Sequence, residues 1–108
     1  MQKPMWLSFD LGVKGDYESL YAWLDNHDAT ECGHNAAFLK YEISNDSTDE
    51  LLRQVAKDLE SSVEFGKSDR VYVACLSDNG DLKGRFILGK RKAAPWKGYG
   101  DAATEEDA

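Results

Sequence analysis

Residues 5–11 read MWLSFDL, and the fold follows from how they are taken. Met5, Leu7, Phe9 and Leu11 occupy alternate positions, with Trp6, Ser8 and Asp10 between them. A period of two predicts a strand with one face turned to a core. Gly12 and Gly15 bracket a turn, and Asp16 stands where a helix N-cap accepts bonds from free amides. Tyr17, Leu20, Tyr21 and Leu24 then recur at i, i+3, i+4 and i+7. That spacing predicts an amphipathic helix ending near residues 26–28. The strand therefore gives way to the helix just past an acid, Asp10, which is either a polar strand end or a group with chemical work.

Working outward, residues 29–43 predict a short strand, a turn at Gly33-His34-Asn35 and a longer strand from Ala36 to Ile43. In the longer strand Ala37, Leu39, Tyr41 and Ile43 share one face, and Phe38, Lys40 and Glu42 the other. Ser47-Thr48-Asp49-Glu50 fits a capping box. Leu51, Leu52, Val55, Leu59 and Val63 make the buried stripe of a second helix, which stops at Phe65-Gly66-Lys67-Ser68. Arg70 to Leu76 is a strand rich in β-branched residues. Asp78-Asn79-Gly80-Asp81 predicts a tight hairpin with positive φ at Asn79 and Gly80, and Leu82 to Gly89 the return strand. Residues 101–108 are small and acidic and are expected to form a disordered tail behind a single domain over 1–100.

Two helices and four or five strands in this order predict a ferredoxin-like α+β sandwich, an antiparallel sheet with both helices on one face. Right-handed crossovers put the first strand and the 70–76 strand in the interior of the sheet. The other face is then open, with Trp6 and Phe38 projecting from it as candidates for a dimer or partner contact.

The 108 residues carry a net charge of −7, unevenly spread. Residues 1–82 hold 7 basic and 16 acidic side chains; residues 83–97 hold six basic and no acidic ones; residues 98–108 hold four acidic and no basic ones. Non-specific duplex binding needs a broad basic field, which this chain lacks. No apolar run is long enough to span a membrane, and the first residues lack the character of a secretory signal. Cys32 and Cys75 are expected as two free thiols in a reducing cytoplasm.

The strand "WLSFDLG", the helix "GDYESLYAWLDN" and the strand "NAAFLKYEI" together resemble the compact ferredoxin-like proteins of the CRISPR adaptation ribonuclease and virulence-associated protein D type. The resemblance covers about residues 5–90 and rests on Phe9-Asp10-Leu11 plus element order. It implies a homodimer and, for some such proteins, RNA cleavage by a metal ion held near strand-end aspartates. Only Asp10 matches that position here. Mg²⁺ or Mn²⁺ would be the ion, since a hard cation that keeps its waters needs only one or two carboxylates. The acidic body and the lack of a second catalytic group beside Asp10 depart from that pattern.

Other clusters read as local structure. His27, Asp28, Glu31, Cys32 and His34 lack a zinc spacing and predict a polar turn. Gly12 to Asp16 has two glycines and a lysine before a helix, but Asp16 at the cap repels phosphate, so a turn is expected. Lys83, Arg85, Lys90, Arg91 and Lys92, with Phe86 among them and Trp96 and Tyr99 after, interleave base and aromatic. That pattern suits single-stranded RNA, a lysine-guarded edge strand, or contact with an acidic surface of another subunit. Trp6, Trp23 and Trp96 are candidate interface anchors, Trp23 foremost because it falls off the helical stripe, with partly buried packing the alternative for Trp6.

Two functions follow. The first is a small, acidic, non-catalytic interaction module of bacterial or phage type, a regulator, antitoxin or inhibitor whose acidic body docks a basic partner protein and which needs no cofactor. The second is a metal-dependent endoribonuclease that works as a homodimer through Asp10, with residues 83–97 holding RNA.

Overall fold

The computed structural model describes residues 1–100; the expected acidic tail, 101–108, lies outside them. In chain order the elements are β1 (Gln2–Asp10), α1 (Tyr17–Asn26), β2 (Thr30–Glu31), β3 (Ala36–Glu42), α2 (Thr48–Ser62), β4 (Arg70–Leu76) and β5 (Leu82–Leu88). The sheet has the order β2-β3-β1-β4-β5, and every neighbouring pair is antiparallel. This is an α+β sandwich of ferredoxin-like layout with one added edge strand. β1 takes the centre and β4 the position beside it, as right-handed crossovers through the two helices require.

The alternation in β1 sets the two faces. Met5 and Leu7 are fully enclosed and Phe9 and Leu11 nearly so, joined by Ala37, Leu39, Tyr41 and Ile43 from the β3 side and Val71, Val73 and Cys75 from β4. Leu20, Trp23 and Leu24 of α1 and Leu51, Leu52, Val55 and Leu59 of α2 close over them in one continuous core. Each fully buried Leu or Val contributes about 1.5–3 kcal/mol relative to exposure, so this one-sided burial sets strand register and helix placement together.

The helix starts are as the residue types require. Asp16 accepts the Ser19 amide at 3.2 Å, and Ser47 Oγ accepts the Glu50 amide at 3.3 Å. Glu50 does not return the second capping-box bond; its carboxylate holds Arg53 and Gln54 on the next turn instead. The α1 stripe is rotated from its expected position. Trp23 is buried in the core, and Tyr21 is half exposed. The reason is local: the Trp23 indole is the widest apolar surface on α1, and it stacks on His27 at 4.1 Å and on Tyr41 at 6.4 Å. Its expected role as an interface anchor is thereby corrected.

The hairpin joining β4 to β5 also differs in detail. Gly80 donates to the Ser77 carbonyl at 2.9 Å, and Ser77 donates to Asp81 at 2.7 Å. Only Gly80 has positive φ, at 84°; Asn79 does not. The loop is thus a three-residue turn closed by a left-handed glycine, not a two-residue one. Cys32 is exposed on the β2 side, Cys75 is in the core, and both are free thiols. Among the described residues no helix is long and apolar enough to cross a membrane.

Candidate binding face of the sheet

The even-numbered residues of β1 point away from the helices, onto a face that no element covers. Register aligns them in rows. Phe38, Trp6, Ala74 and Gly84 lie side by side across β3, β1, β4 and β5; the next row is Ala36, Ser8, Tyr72 and Phe86; Asp10 and Arg70 follow. Trp6 is 49% exposed, and its ring packs against Phe38 with centroids 4.9 Å apart. Tyr72 and Phe86 form a second pair, edge to face at 5.0 Å. The small residues between the pairs are part of the design. A Cβ on Gly84 would sit 2.3 Å from the Tyr72 hydroxyl oxygen, so only glycine lets the tyrosine lie across the sheet toward the Trp6 row.

Cations frame the Tyr72–Phe86 end. Arg70 Nε donates to Asp10 Oδ2 at 2.8 Å, and its guanidinium carbon lies 5.6 Å from the centre of the Phe86 ring. The Arg91 guanidinium carbon lies 5.5 Å from the same centre. Arg91 gets there because the chain reverses at Gly89, whose φ is 75°. A Cβ at Gly89 would meet the Asp69 carbonyl at 2.6 Å and the Arg70 Cβ at 2.5 Å, so crowding and the left-handed backbone both select glycine here. Residues 91–96 then run past Ser8, Asp10 and Tyr72 and wall a cleft of about 350 Å³, with Trp96, 73% exposed, at its lip. Lys92 Nζ donates to the Ser68 carbonyl at 3.2 Å. Beside this lies a second cleft of about 390 Å³, lined by Lys67, Arg70, Lys90, Arg91 and Lys92.

The charges separate by layer. On the long strands the open face carries Lys40 and Arg70 against Asp10 and Glu42, and both acids have partners, Asp10 in Arg70 and Glu42 in the N-terminal amine at 3.6 Å. The two helices carry six acids and two bases, and their outer surface holds much of the negative charge.

The expected binding residues divide accordingly. Trp6 and Phe38 stand together at the middle of the open face, and Arg91, Lys92 and Trp96 gather with Phe86 at one end, with Lys90 beside them. Lys83 and Arg85 do not join them. They alternate with Gly84 and Phe86, so they point to the helix side, where Arg85 meets Asp49 of α2 at 3.2 Å. Phe86 stands among the site residues, as its place in the basic–aromatic run predicts, whereas Arg70 and Tyr72 were missed. Their signal was present in the chain, because Arg70, Tyr72 and Ala74 alternate with the apolar Val71, Val73 and Cys75.

The remaining candidates resolve into structural bonds. Asp10, the one metal ligand expected from the sequence, has Oδ2 engaged by Arg70. Among the described residues no group of three or more His, Cys, Asp or Glu is arranged to hold a metal ion. Glu31 accepts the Gly33 amide, Cys32 Sγ approaches the Thr30 carbonyl, and His27 Nδ1 lies 2.8 Å from the Trp23 carbonyl. In the wall of a cleft of about 610 Å³ near Gly12–Asp16, Asp69, only 6% exposed, takes the amides of Gly12 at 2.6 Å and Gly66 at 2.7 Å. Asp16 takes the amides of Glu64 and Ser19, and the Glu64 bond first among them holds its carboxyl below the usual range. These two acids tie the β1–α1 loop to the chain that follows α2, and the amides of Gly12 and Gly15 are already bonded, to Asp69 and to the Gly12 carbonyl.

Comparison of this chain with protein-family models, with curated proteins and with solved structures gives no match.

Proposed function

We propose that this protein is a non-catalytic binding module that holds single-stranded nucleic acid on the open face of its sheet. The observation that carries the reading is the alternation of aromatic pairs with cations on one uncovered surface: Trp6 with Phe38, then Tyr72 with Phe86 between Arg70 and Arg91. Open sheet faces of this kind stack unpaired bases, at about 1–3 kcal/mol per base. Arginine and lysine supply the phosphate contacts. The net charge of −7 does not oppose this, because the helices carry so many of the acids. It instead confines the ligand to one face and disfavours a duplex, whose bases offer no free rings to stack.

The metal-dependent ribonuclease reading, and with it the relationship to the CRISPR adaptation ribonuclease and virulence-associated protein D type, has support from the placement of Asp10 at a strand end. The Asp10–Arg70 pair weighs against it, because a bound guanidinium competes with a cation for the same oxygens. A protein partner or a second copy of the chain would compete for the same aromatic face.

Fluorescence anisotropy with labelled single-stranded RNA and DNA tests the proposal. Trp6→Ala and Phe38→Ala are each expected to weaken binding by about tenfold, and duplex of the same sequence to compete poorly. Absence of binding at low salt, or a dimer in solution whose dissociation follows Trp6→Ala, would overturn it.

A further inference from the structure

We infer that the cleft under residues 91–96 is an end-recognition subsite, which takes a phosphomonoester at the terminus of the single strand. This rests on the reading of the open face as a single-strand platform and names what that platform prefers.

Three observations converge on it. The first is geometry. The chain doubles back at Gly89, and Ala93, Ala94, Pro95 and Trp96 close the end of the face beside Ser8 and Asp10. A strand lying over Trp6 and Phe38 and running toward Phe86 meets a wall there, not an open groove. The second is size and lining. The cleft of about 350 Å³ has Tyr72, Phe86 and Trp96 around it, room for one terminal nucleoside with aromatic surface for its base. The third is charge. The adjoining cleft of about 390 Å³ shares Arg70, Arg91 and Lys92 and adds Lys67 and Lys90, five cations in one corner. Each cleft has one acid in its wall: Asp69 in the adjoining cleft already receives two backbone amides, and Asp10 in the terminal cleft is bonded to Arg70.

An internal phosphodiester carries one negative charge, whereas a terminal phosphomonoester carries nearly two and three strong acceptor oxygens. Arg70, Arg91 and Lys92 in the wall of the terminal cleft, with Lys67 and Lys90 in the cleft that adjoins it, match the second better than the first. Arginine suits the task because its planar fork binds phosphate oxygens in pairs. Asp10 contributes as a positioning residue: it takes the Nε hydrogen of Arg70 and leaves the two terminal amino groups for the phosphate.

The test compares one oligonucleotide sequence in three forms, with a 5′-phosphate, a 3′-phosphate and hydroxyls at both ends, by anisotropy competition on the full chain. One phosphorylated form is expected to bind about tenfold more tightly than the hydroxyl form, and which one tells the polarity of the strand. The double variant Lys67→Ala with Lys90→Ala, both on the surface and in the adjoining cleft alone, should lower that preference at least threefold while still binding the hydroxyl form through Trp6, Phe38 and Arg91. A nucleoside monophosphate should quench tryptophan fluorescence in the parent but not in Trp96→Phe. Equal affinity for all three forms overturns the subsite and leaves the single-strand reading standing. Failure of every form to bind overturns that reading and the subsite with it.

Discussion

Arg70 and Asp10 face each other across the last rung of the β1–β4 ladder, with the arginine Nε 2.8 Å from the carboxylate. The pair turns an acid at the end of the central strand into the anchor of a cation. The guanidinium held this way lies against Phe86, where the aromatic and basic parts of the open face meet.

Replacing Asp10 by Asn keeps an oxygen for Arg70 and removes one negative charge from the face. Because the acid is half exposed, stability should fall by less than about 1 kcal/mol. Single-strand binding should tighten by about twofold to fivefold, read by anisotropy at two salt concentrations. Cleavage of RNA in Mg²⁺ or Mn²⁺ by the parent chain, lost in Asp10→Asn, would favour the ribonuclease reading instead.

Asp69 is expected to matter for stability and little for binding. Its carboxylate joins Gly12 to Gly66 and is nearly enclosed. Asp69→Ala leaves two backbone donors without their acceptor, at a cost of about 2 kcal/mol or more in urea unfolding. A change under about half of that would show that water replaces the carboxylate with ease.

Gly89→Ala should act on both. The left-handed backbone alone costs about 1–2 kcal/mol, and contact with the Asp69–Arg70 backbone adds to it. Relief of that contact displaces residues 90–96, so binding of a phosphorylated strand end should weaken even where the chain remains folded. Calorimetry and anisotropy on one preparation check the two effects.

Tyr41 provides a pH signature. Its hydroxyl donates to Asp58 at 3.0 Å, and burial, then that bond and the negative charge beside it, push the phenol up to about 12 from an ordinary 10. Below pH 10 neither the folded nor the unfolded chain ionises it, and its contribution is constant. As pH rises from about 10 to about 12 the unfolded chain loses the proton first, so stability should fall across that window. In Tyr41→Phe this alkaline component should be missing from chemical unfolding curves measured as a function of pH.

The two thiols should separate by reactivity. Cys32 is exposed, whereas Cys75 is enclosed in the core and its thiol is pushed up by burial. A disulfide reagent at neutral pH is expected to modify Cys32 at once and Cys75 only on the timescale of unfolding. Equal rates would mean that β4 opens readily from the sheet.

What the chain determines by itself is the layer architecture. Alternation at Met5–Leu11, Ala36–Ile43 and Arg70–Leu76, and the caps at Asp16 and Ser47, are local properties of order and side-chain chemistry. They suffice because a strand with one apolar face and a helix with one apolar stripe have few ways to bury both. The separation of Trp6 and Phe38 from Met5 and Leu39 was legible for the same reason.

Only the tertiary structure decided which charges share a surface. Lys83, Arg85, Arg91 and Lys92 form one basic run in the chain, yet strand alternation sends the first two toward α2 and the turn at Gly89 brings the others over Phe86. Arg70 joins them from sixteen or more residues away because β4 pairs with β5. Trp23 went into the core on volume, a matter of what Tyr41 and His27 leave unfilled and not of helical spacing alone. Burial patterns are written in short-range order, whereas a site is a coincidence of distant residues in space, fixed only when register and loop geometry are.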